Sequence, residues 1–197
     1  MKKVAITGGL SCGKTTVCQF LKDLGAYVLS SDEIVHQLLS PETKLGKQII
    51  GLLGQDIVTS SQQIDRKKIA QIIFDRRDLL TKVEEMIHPI VKEQIEHLYE
   101  AVKDDNSYSL FVVEVPLLFE SSFETFFDSV VVVSANEDVA LDRFTLKGEE
   151  RQAYLTRMAR QWTVADKAAK AHYVIENNFS LEKLSEDVSK LFQKLTA

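Results

Sequence analysis

An eight-residue segment near the amino terminus has the residue types and the spacing of a phosphate-binding loop. The segment runs Gly8-Gly-Leu-Ser-Cys-Gly-Lys-Thr15, which fits the pattern G-x-x-x-x-G-K-[ST]. Glycines let consecutive backbone N–H groups point at one anion, and a helix that follows adds unpaired N–H groups and a positive dipole end. Lys14 would reach the β- and γ-phosphates of a nucleotide, and the hydroxyl of Thr15 would ligate Mg²⁺. A glycine-rich turn that binds nothing is the alternative, and the flanking residues decide between the two.

The residues on either side of this loop have the patterns of a strand and a helix. Residues 3–7 form a short apolar run suited to a buried strand. Residues 15–24 carry apolar side chains at 17, 20, 21 and 24, which is helical spacing. A strand, a glycine loop and a helix in this order are the context in which the pattern marks a phosphate-binding loop.

Four further apolar runs alternate with helical patterns along the chain. They lie at residues 27–30, 109–115, 129–134 and 172–175. This alternation predicts a parallel sheet of about five strands covered on both faces, which right-handed crossovers make a doubly wound α/β fold. Between 32 and 103 only helical patterns occur, with a bend expected at 51–61 and a kink or a new helix at His88-Pro89. Asn136 and Ser180 have the residue type and position of helix N-caps.

Carboxylates follow two of the expected strands, at the sheet edge where ligands bind in such folds. Asp32 could accept the proton of a substrate hydroxyl or orient that hydroxyl for attack, and it could also cap the helix that begins near Glu33. Glu114 could complete a Mg²⁺ shell or be a solvated or ion-paired side chain. Thr15 with Asp32 or Glu114 is therefore the candidate Mg²⁺ site.

A basic segment stands out between residues 143 and 160. Its cations are Arg143, Lys147, Arg151, Arg157 and Arg160, and Gln161 follows them. Helical spacing puts Arg143 and Lys147 on one face and groups Arg157 with Arg160 and Gln161. These side chains could close over a triphosphate and neutralise charge on the transferring group. A solvated charged helix is the alternative.

The composition narrows the classes of protein and partner. The chain has 197 residues and a formal net charge of −5, which argues against a dedicated nucleic-acid binder. The apolar runs are far too short to cross a membrane. Cys12 and Cys18 lie on different faces of one expected helix, so we expect no disulfide and a location in the reducing cytoplasm. No obligatory protein partner is indicated, and we expect a monomer.

Two reactive side chains have open interpretations. Cys12 lies where the loop amides converge, and a helix N-terminus with a nearby cation lowers the pKa of a thiol. We therefore expect alkylation of Cys12 that bound nucleotide prevents. His88 could contact a ligand, although spacing alone favours a structural role.

Taken in order, the motifs resemble those of the dephospho-coenzyme A kinase family over essentially the whole chain. The loop Thr7-Gly-Gly-Leu-Ser-Cys-Gly-Lys-Thr-Thr16 is similar to the family's T-G-G-x-x-S-G-K-S/T-T. The further matches are Asp32 with the second Asp of D-A-D, Ile87-His-Pro89 with H-P, Val115-Pro-Leu-Leu-Phe-Glu120 with V-P-L-L-F-E, Arg157-Met-Ala-Arg-Gln161 with R-x-x-x-Q, and Ile175-Glu-Asn-Asn178 with I-x-N-N. The loop alone occurs in many unrelated NTPases, whereas the ordered set is far more specific.

The resemblance implies a P-loop kinase with three parts. The nucleotide-binding core comprises 1–32, 106–143 and 172–197, a helical substrate-binding insertion comprises 33–105, and a helical lid comprises 144–171. The implied reaction is ATP-dependent phosphorylation of the ribose 3′-hydroxyl of dephospho-coenzyme A, with Mg²⁺. The alternatives are another small-molecule or nucleoside monophosphate kinase, or a nucleotide-hydrolysing switch. No N-K-x-D motif for guanine is present.

The resemblance also implies residue roles. Asp32 would be the base or orienting group, acting with Lys14 and Arg143 on the transferring phosphoryl group. The residues expected at the nucleotide are Gly8, Gly9, Ser11, Cys12, Gly13, Lys14, Thr15, Thr16, Arg143, Lys147, Arg157 and Asn177. Those expected at the acceptor are Asp32, His88, Pro116, Leu117, Leu118 and Gln161.

Four positions depart from the family pattern. Ser30 replaces an acidic residue, Cys12 replaces a small one, and Lys147-Gly148 stands where the family often has Arg-Asp. A lysine lacks the planar fork with which arginine binds phosphate, so we expect weaker lid closure or nucleotide binding.

Overall fold

The computed structural model of the chain describes residues 1–74 and 76–197. These residues form two compact units. The first comprises Met1–Ser30 and Ala101–Ala197, and the second comprises Ser31–Glu100.

The first unit is built on a five-stranded parallel sheet, which confirms the predicted fold class. The strands are β1 (Lys2–Gly8), β2 (Ala26–Ser30), β3 (Leu110–Glu114), β4 (Ser129–Ser134) and β5 (Tyr173–Glu176). Their order across the sheet is β2-β3-β1-β4-β5. The strand before the glycine loop therefore lies at the centre, bonded to β3 on one side and to β4 on the other.

Helices connect the strands and make up the second unit. They are α1 (Lys14–Asp23), α2 (Ser31–Leu38), α3 (Lys44–Leu53), α4 (Arg66–Ile73), α5 (Arg77–Val102), α6 (Glu137–Thr145), α7 (Arg151–Met158), α8 (Val164–Lys170) and α9 (Leu181–Thr196). Short 3₁₀ turns lie at Gln55–Ile57 and Glu124–Phe126. Across the described ranges, no helix combines the length and the apolar character needed to span a membrane.

The core of the first unit lies on both faces of the sheet. The middle residues of β1, β3 and β4 are buried in continuous runs, as expected for parallel strands covered on both sides. Helices α1 and α9 pack together on this core. Tyr154 of α7 is buried in the same core, and α8 packs on β1 and β4. The predicted helices of the 144–171 segment are thus present, and its movement as a lid stays a prediction.

The second unit has its own apolar core. Its buried members are Leu39, Leu45, Ile49, Ile57, Ile69 and Val83. The bend predicted from residue 51 is wrong in its first part, because α3 continues to Leu53 and stops at Gly54, whose φ of 95° suits a glycine. At His88-Pro89 the predicted start of a new helix is wrong, because α5 runs through Pro89 with Val83, Val91 and Ile95 buried along its length, and a kink there stays a prediction. Packing on both sides of Pro89 outweighs the loss of one helical hydrogen bond.

The two predicted N-caps differ in their chemistry. Ser180 caps α9, because its side chain accepts a hydrogen bond from the N–H of Lys183. Asn136 stands at the N-cap of α6, but its side chain makes no capping hydrogen bond. Its backbone N–H instead donates to Oδ1 of Asn178, 2.7 Å away, which ties the start of α6 to the segment after β5.

Candidate active site

The glycine loop borders a cavity of about 430 Å³ in the first unit. Loop and α1 residues Ser11, Gly13, Lys14, Thr15 and Thr16 form one wall. The other walls come from Glu114 at the end of β3, from Arg143 in the last turn of α6 and Leu146 and Lys147 just after it, and from Asn177 and Leu181 after β5. The structure therefore brings most of the predicted nucleotide residues together at the carboxyl edge of the sheet, where ligands of such folds bind.

Two glycines are required for the shape of the loop. Gly8 has a φ of 146°, and a Cβ atom there would lie 2.1 Å from the carbonyl oxygen of Val133. Gly13 has a φ of 94°, and a Cβ atom there would lie 2.2 Å from Nδ2 of Asn177. Both positions combine a left-handed backbone with close approach of another residue, so a side chain at either one would distort the loop.

The predicted metal residues Thr15 and Glu114 are in contact. The Thr15 hydroxyl donates to the carboxylate of Glu114, at 3.1 Å from Oε1 and 3.2 Å from Oε2. Both are hard oxygen ligands of the kind that Mg²⁺ takes, and Mg²⁺ sites commonly use one or two carboxylates with phosphate and water. Within residues 1–74 and 76–197 there is no group of three or more His, Cys, Asp or Glu side chains able to hold a metal ion. The residues present therefore fit a Mg²⁺ ion that a nucleotide phosphate helps to hold.

Lys14 is folded back on the loop. Its side chain is largely buried, and its Nζ donates to the carbonyl oxygen of Gly9 at 2.8 Å. This position keeps the ammonium group beside the backbone amides that would surround a phosphate.

Arg143 and Asn177 form a hydrogen-bonded link to the loop. The Asn177 side chain, which is 5% exposed, donates from Nδ2 to the carbonyl oxygen of Cys12 at 2.9 Å. Arg143 donates to the backbone oxygen of Asn177 at 2.9 Å and to its Oδ1 at 3.4 Å. Family resemblance marked Asn177, but only the structure gives it this contact, which joins residues 165 positions apart.

The expected activation of Cys12 is wrong. Its side chain is buried, and this burial raises the pKa of the thiol despite the opposing charge of Lys14. Its side chain borders a separate cavity of about 470 Å³, together with Tyr154 and Met158 of α7. Cys12 thus takes part in the loop through its backbone, and its thiol belongs to the packing beneath the loop. Burial likewise raises the pKa of Cys18.

The basic segment divides in two. Arg143 and Lys147 reach the loop cavity. Arg157 instead pairs with Glu149 at 3.5 Å, with about half of each side chain exposed, and its guanidinium lies 5.4 Å from the ring centre of Phe144. Arg157 and Gln161 therefore do not line the loop cavity in this structure. The approach of Arg157 to the nucleotide and of Gln161 to the acceptor stays a prediction.

The residues predicted at the acceptor lie in several places. Leu118 is fully buried, so its side chain packs in the core and is not exposed to an acceptor. Pro116 is half-buried, and Leu117 is exposed. Asp32 lies in the first turn of α2, and His88 lies exposed on α5, both in the second unit. Their roles stay predictions.

Comparisons with known proteins identify the family. The dephospho-CoA kinase family model matches residues 2–183. The dephospho-CoA kinase of Protochlamydia amoebophila (strain UWE25) is 43% identical over 197 residues, covering 99% of this chain and 97% of its own length. That of Chlamydia pneumoniae is 42% identical over 194 residues, covering 98% of this chain and 96% of its own length.

Solved structures give the same architecture. The protein TT1252 from Thermus thermophilus superposes with a TM-score of 0.84 at 26% identity, covering 100% of this chain and 98% of its own. A shikimate kinase from Bacteroides thetaiotaomicron, at a TM-score of 0.53 and 14% identity over 100% and 99% of the two chains, shares the fold alone. The chain belongs to the dephospho-CoA kinase family and is an ATP-dependent kinase.

Proposed function

We propose that this chain transfers the γ-phosphoryl group of ATP to the ribose 3′-hydroxyl of dephospho-coenzyme A, giving coenzyme A and ADP. The family match over nearly the full length supports the choice of acceptor. The observation that carries the chemistry is the contact of Thr15 with Glu114 at the mouth of the glycine loop. A hydroxyl and a carboxylate meet there beside backbone amides suited to a triphosphate.

On the donor side, the loop amides and Lys14 bind the β- and γ-phosphates. Lys14 exchanges its bond to the Gly9 carbonyl for phosphate oxygens, which are charged acceptors and form stronger hydrogen bonds. Thr15 and Glu114 would hold Mg²⁺, which neutralises phosphate charge when bound. Arg143, fixed by Asn177, adds positive charge beside the γ-phosphate. Phosphoryl transfer asks mainly for such positioning and charge stabilisation.

On the acceptor side, we assign Asp32 to the 3′-hydroxyl. The last residue of β2, Ser30, pairs in register with Glu114 at the end of β3. Asp32 follows Ser30 by only two residues in the chain, directly after the strand that neighbours the proposed Mg²⁺ residue. By the family resemblance, the Asp32 carboxylate would accept the hydroxyl proton or orient the hydroxyl for attack on the γ-phosphorus.

A panel of acceptors tests the function. The purified chain with Mg-ATP should release ADP with dephospho-coenzyme A, and the product should gain one phosphoryl group at the ribose 3′ position by mass spectrometry and NMR. Release of ADP at the same rate without an acceptor would identify a hydrolytic switch. Faster release with nucleoside monophosphates would identify a different kinase.

A substitution tests the role of Asp32. Asp32→Asn keeps the shape of the side chain and removes its capacity to accept a proton, so we expect kcat to fall by about 100-fold or more. Glu33→Gln, one residue further in the same turn of α2, is the matched control and should keep kcat. Turnover of Asp32→Asn within a factor of two of the wild type would remove Asp32 from the reaction.

A further inference from the structure

Lys167 is a fully buried lysine that the sequence gives no reason to single out. It lies on α8, in a segment rich in charge, yet its side chain is 0% exposed. Burying an ammonium group is costly unless it is paired and hydrogen-bonded. Its Nζ has both kinds of partner: Oε1 of Glu120 at 2.9 Å and the carbonyl oxygen of Pro116 at 3.1 Å.

The bond to Pro116 connects Lys167 with the phosphate-binding loop. The same Pro116 oxygen accepts a hydrogen bond from the hydroxyl of Thr7 at 3.2 Å, and Thr7 directly precedes Gly8. Pro116 also follows Glu114, the proposed Mg²⁺ residue, by only two positions. The ammonium group of Lys167 therefore shares the Pro116 oxygen with Thr7, at the place where the end of β1 contacts the segment after β3.

The bond to Glu120 connects Lys167 with the segment between α7 and α8. Oε1 of Glu120 accepts a second hydrogen bond from the backbone N–H of Trp162 at 2.9 Å. The Trp162 ring stacks on Phe119 with centroids 5.8 Å apart, and Nζ of Lys170 lies 4.8 Å from the centre of that ring. The Glu120 carboxylate therefore compensates the charge of Lys167 and also holds the backbone of Trp162, between α7 and α8.

We propose that Lys167 is a positioning residue for phosphoryl transfer, which holds the Pro116 carbonyl and so fixes Thr7, which precedes the glycine loop, and Glu114, the proposed Mg²⁺ residue. The proposal rests on the proposed function. Glu120 is the counter-charge that allows Lys167 to be buried. A shift of about 1 Å in a positioned group can reduce turnover by about 100-fold. Loss of the bond from Lys167 to Pro116 could therefore lower kcat although Lys167 does not contact the substrate.

Three variants separate positioning from stability. Lys167→Met removes the ammonium group and leaves the Glu120 carboxylate buried with an unpaired charge, so we expect Tm to fall by about 10 °C. Lys167→Met with Glu120→Gln removes the unpaired charge and keeps an oxygen for Trp162, so it should recover at least about half of that loss. Glu120→Gln alone keeps the bond from Lys167 to Pro116 and should lower Tm.

The readout is kcat compared with Tm. If Lys167 positions the site, kcat is at least about tenfold low in both variants that lack it, whatever their Tm, while the KM for ATP changes less than about threefold. Glu120→Gln then lowers kcat by no more than about threefold despite its lower Tm. If kcat follows Tm across the set and recovers with it in the double variant, Lys167 is only structural and the proposal is wrong. Should Lys167→Met fail to fold, the double variant and Glu120→Gln still give this comparison.

Two controls complete the experiment. Lys183→Met breaks the exposed pair with Asp187 on α9, 2.6 Å long, and should change neither kcat nor Tm appreciably. The wild-type chain is assayed with dephospho-coenzyme A in parallel. No turnover by the wild type would refute the proposed function, whereas normal wild-type turnover with kcat following Tm would refute only the role of Lys167.

Discussion

Replacing Asn177 with alanine tests whether the loop needs its link to the end of β5. The change removes the hydrogen bond from Nδ2 to the Cys12 carbonyl and the weaker contact with Arg143. A neutral hydrogen bond contributes about 0.5–1.5 kcal/mol, and a buried carbonyl left without its partner costs about 1–3 kcal/mol. We therefore expect the free energy of unfolding to fall by about 2 kcal/mol. For a chain of this length, that lowers Tm by roughly 4–8 °C.

The same change should weaken ATP binding. Asn177 packs against Gly13, and its loss frees the loop to turn the Cys12 carbonyl and the amides beside it away from the phosphate position. A tenfold rise in the dissociation constant for ATP, measured by calorimetry, corresponds to about 1.4 kcal/mol. Asn178→Ala is the matched control: it removes the bond to the Asn136 N–H and should lower Tm without changing ATP affinity.

Two results would contradict this reasoning about Asn177. An unchanged Tm with weaker ATP binding would mean that Asn177 contacts the nucleotide directly and does not support the loop. An unchanged affinity with a lower Tm would mean that the loop keeps its shape without this bond.

Three further predictions concern the metal residue and the thiols. Glu114→Gln should raise the Mg²⁺ concentration for half-maximal activity by at least about tenfold, and Glu176→Gln at the end of β5 should not; equal Mg²⁺ dependence of the two would exclude Glu114 from the metal site. Iodoacetamide should label Cys12 and Cys18 at least about tenfold more slowly in the native chain than in urea, with or without Mg-ATP, and fast native labelling would contradict their burial. Because burial raises the pKa of Cys18 above its ordinary value of 9.0, the unfolded chain loses this proton first as the pH rises. The free energy of unfolding should therefore fall above about pH 9, and Cys18→Ala should flatten that fall; an identical pH profile of Tm in Cys18→Ala would contradict this.

The parts of the fold that the sequence predicted are those set by local pattern. The strands β1, β3 and β4 appear because each is a run of apolar residues buried on both faces, and the loop appears because its glycines and lysine are adjacent in the chain. The contact of Thr15 with Glu114 follows from the same logic, since strand ends meet at one edge of a parallel sheet. The sequence alone leaves both Asp32 and Glu114 as candidates for Mg²⁺, because strand order decides which strand end lies beside Thr15.

The parts that the sequence could not predict depend on burial and on long-range contacts. Lys167 lies in a segment whose charges suggest solvent, and only its packing on the sheet shows that it is buried. The sequence predicted that the thiol of Cys12 lies among the loop amides, but the thiol is buried. The direction of a loop side chain depends on packing and cannot be predicted from the adjacent residues. Helix α5 continues through Pro89 because of contacts distant in sequence, which outweigh a local helix-breaking preference.

The central position of β1 has a consequence for local unfolding of the sheet. Amides of β1 are bonded between β3 and β4, whereas β2 and β5 each have one neighbouring strand. In native-state hydrogen exchange, edge strands tend to open in local fluctuations, and central strands exchange only when the whole unit unfolds. The phosphate-binding loop is thus attached to the slowest-exchanging backbone of the unit. Release of the β2 edge would leave the glycine loop attached to β1, whereas release of β5 would also separate Asn177 from the Cys12 carbonyl, so the site should weaken when β5 opens and before the whole unit unfolds.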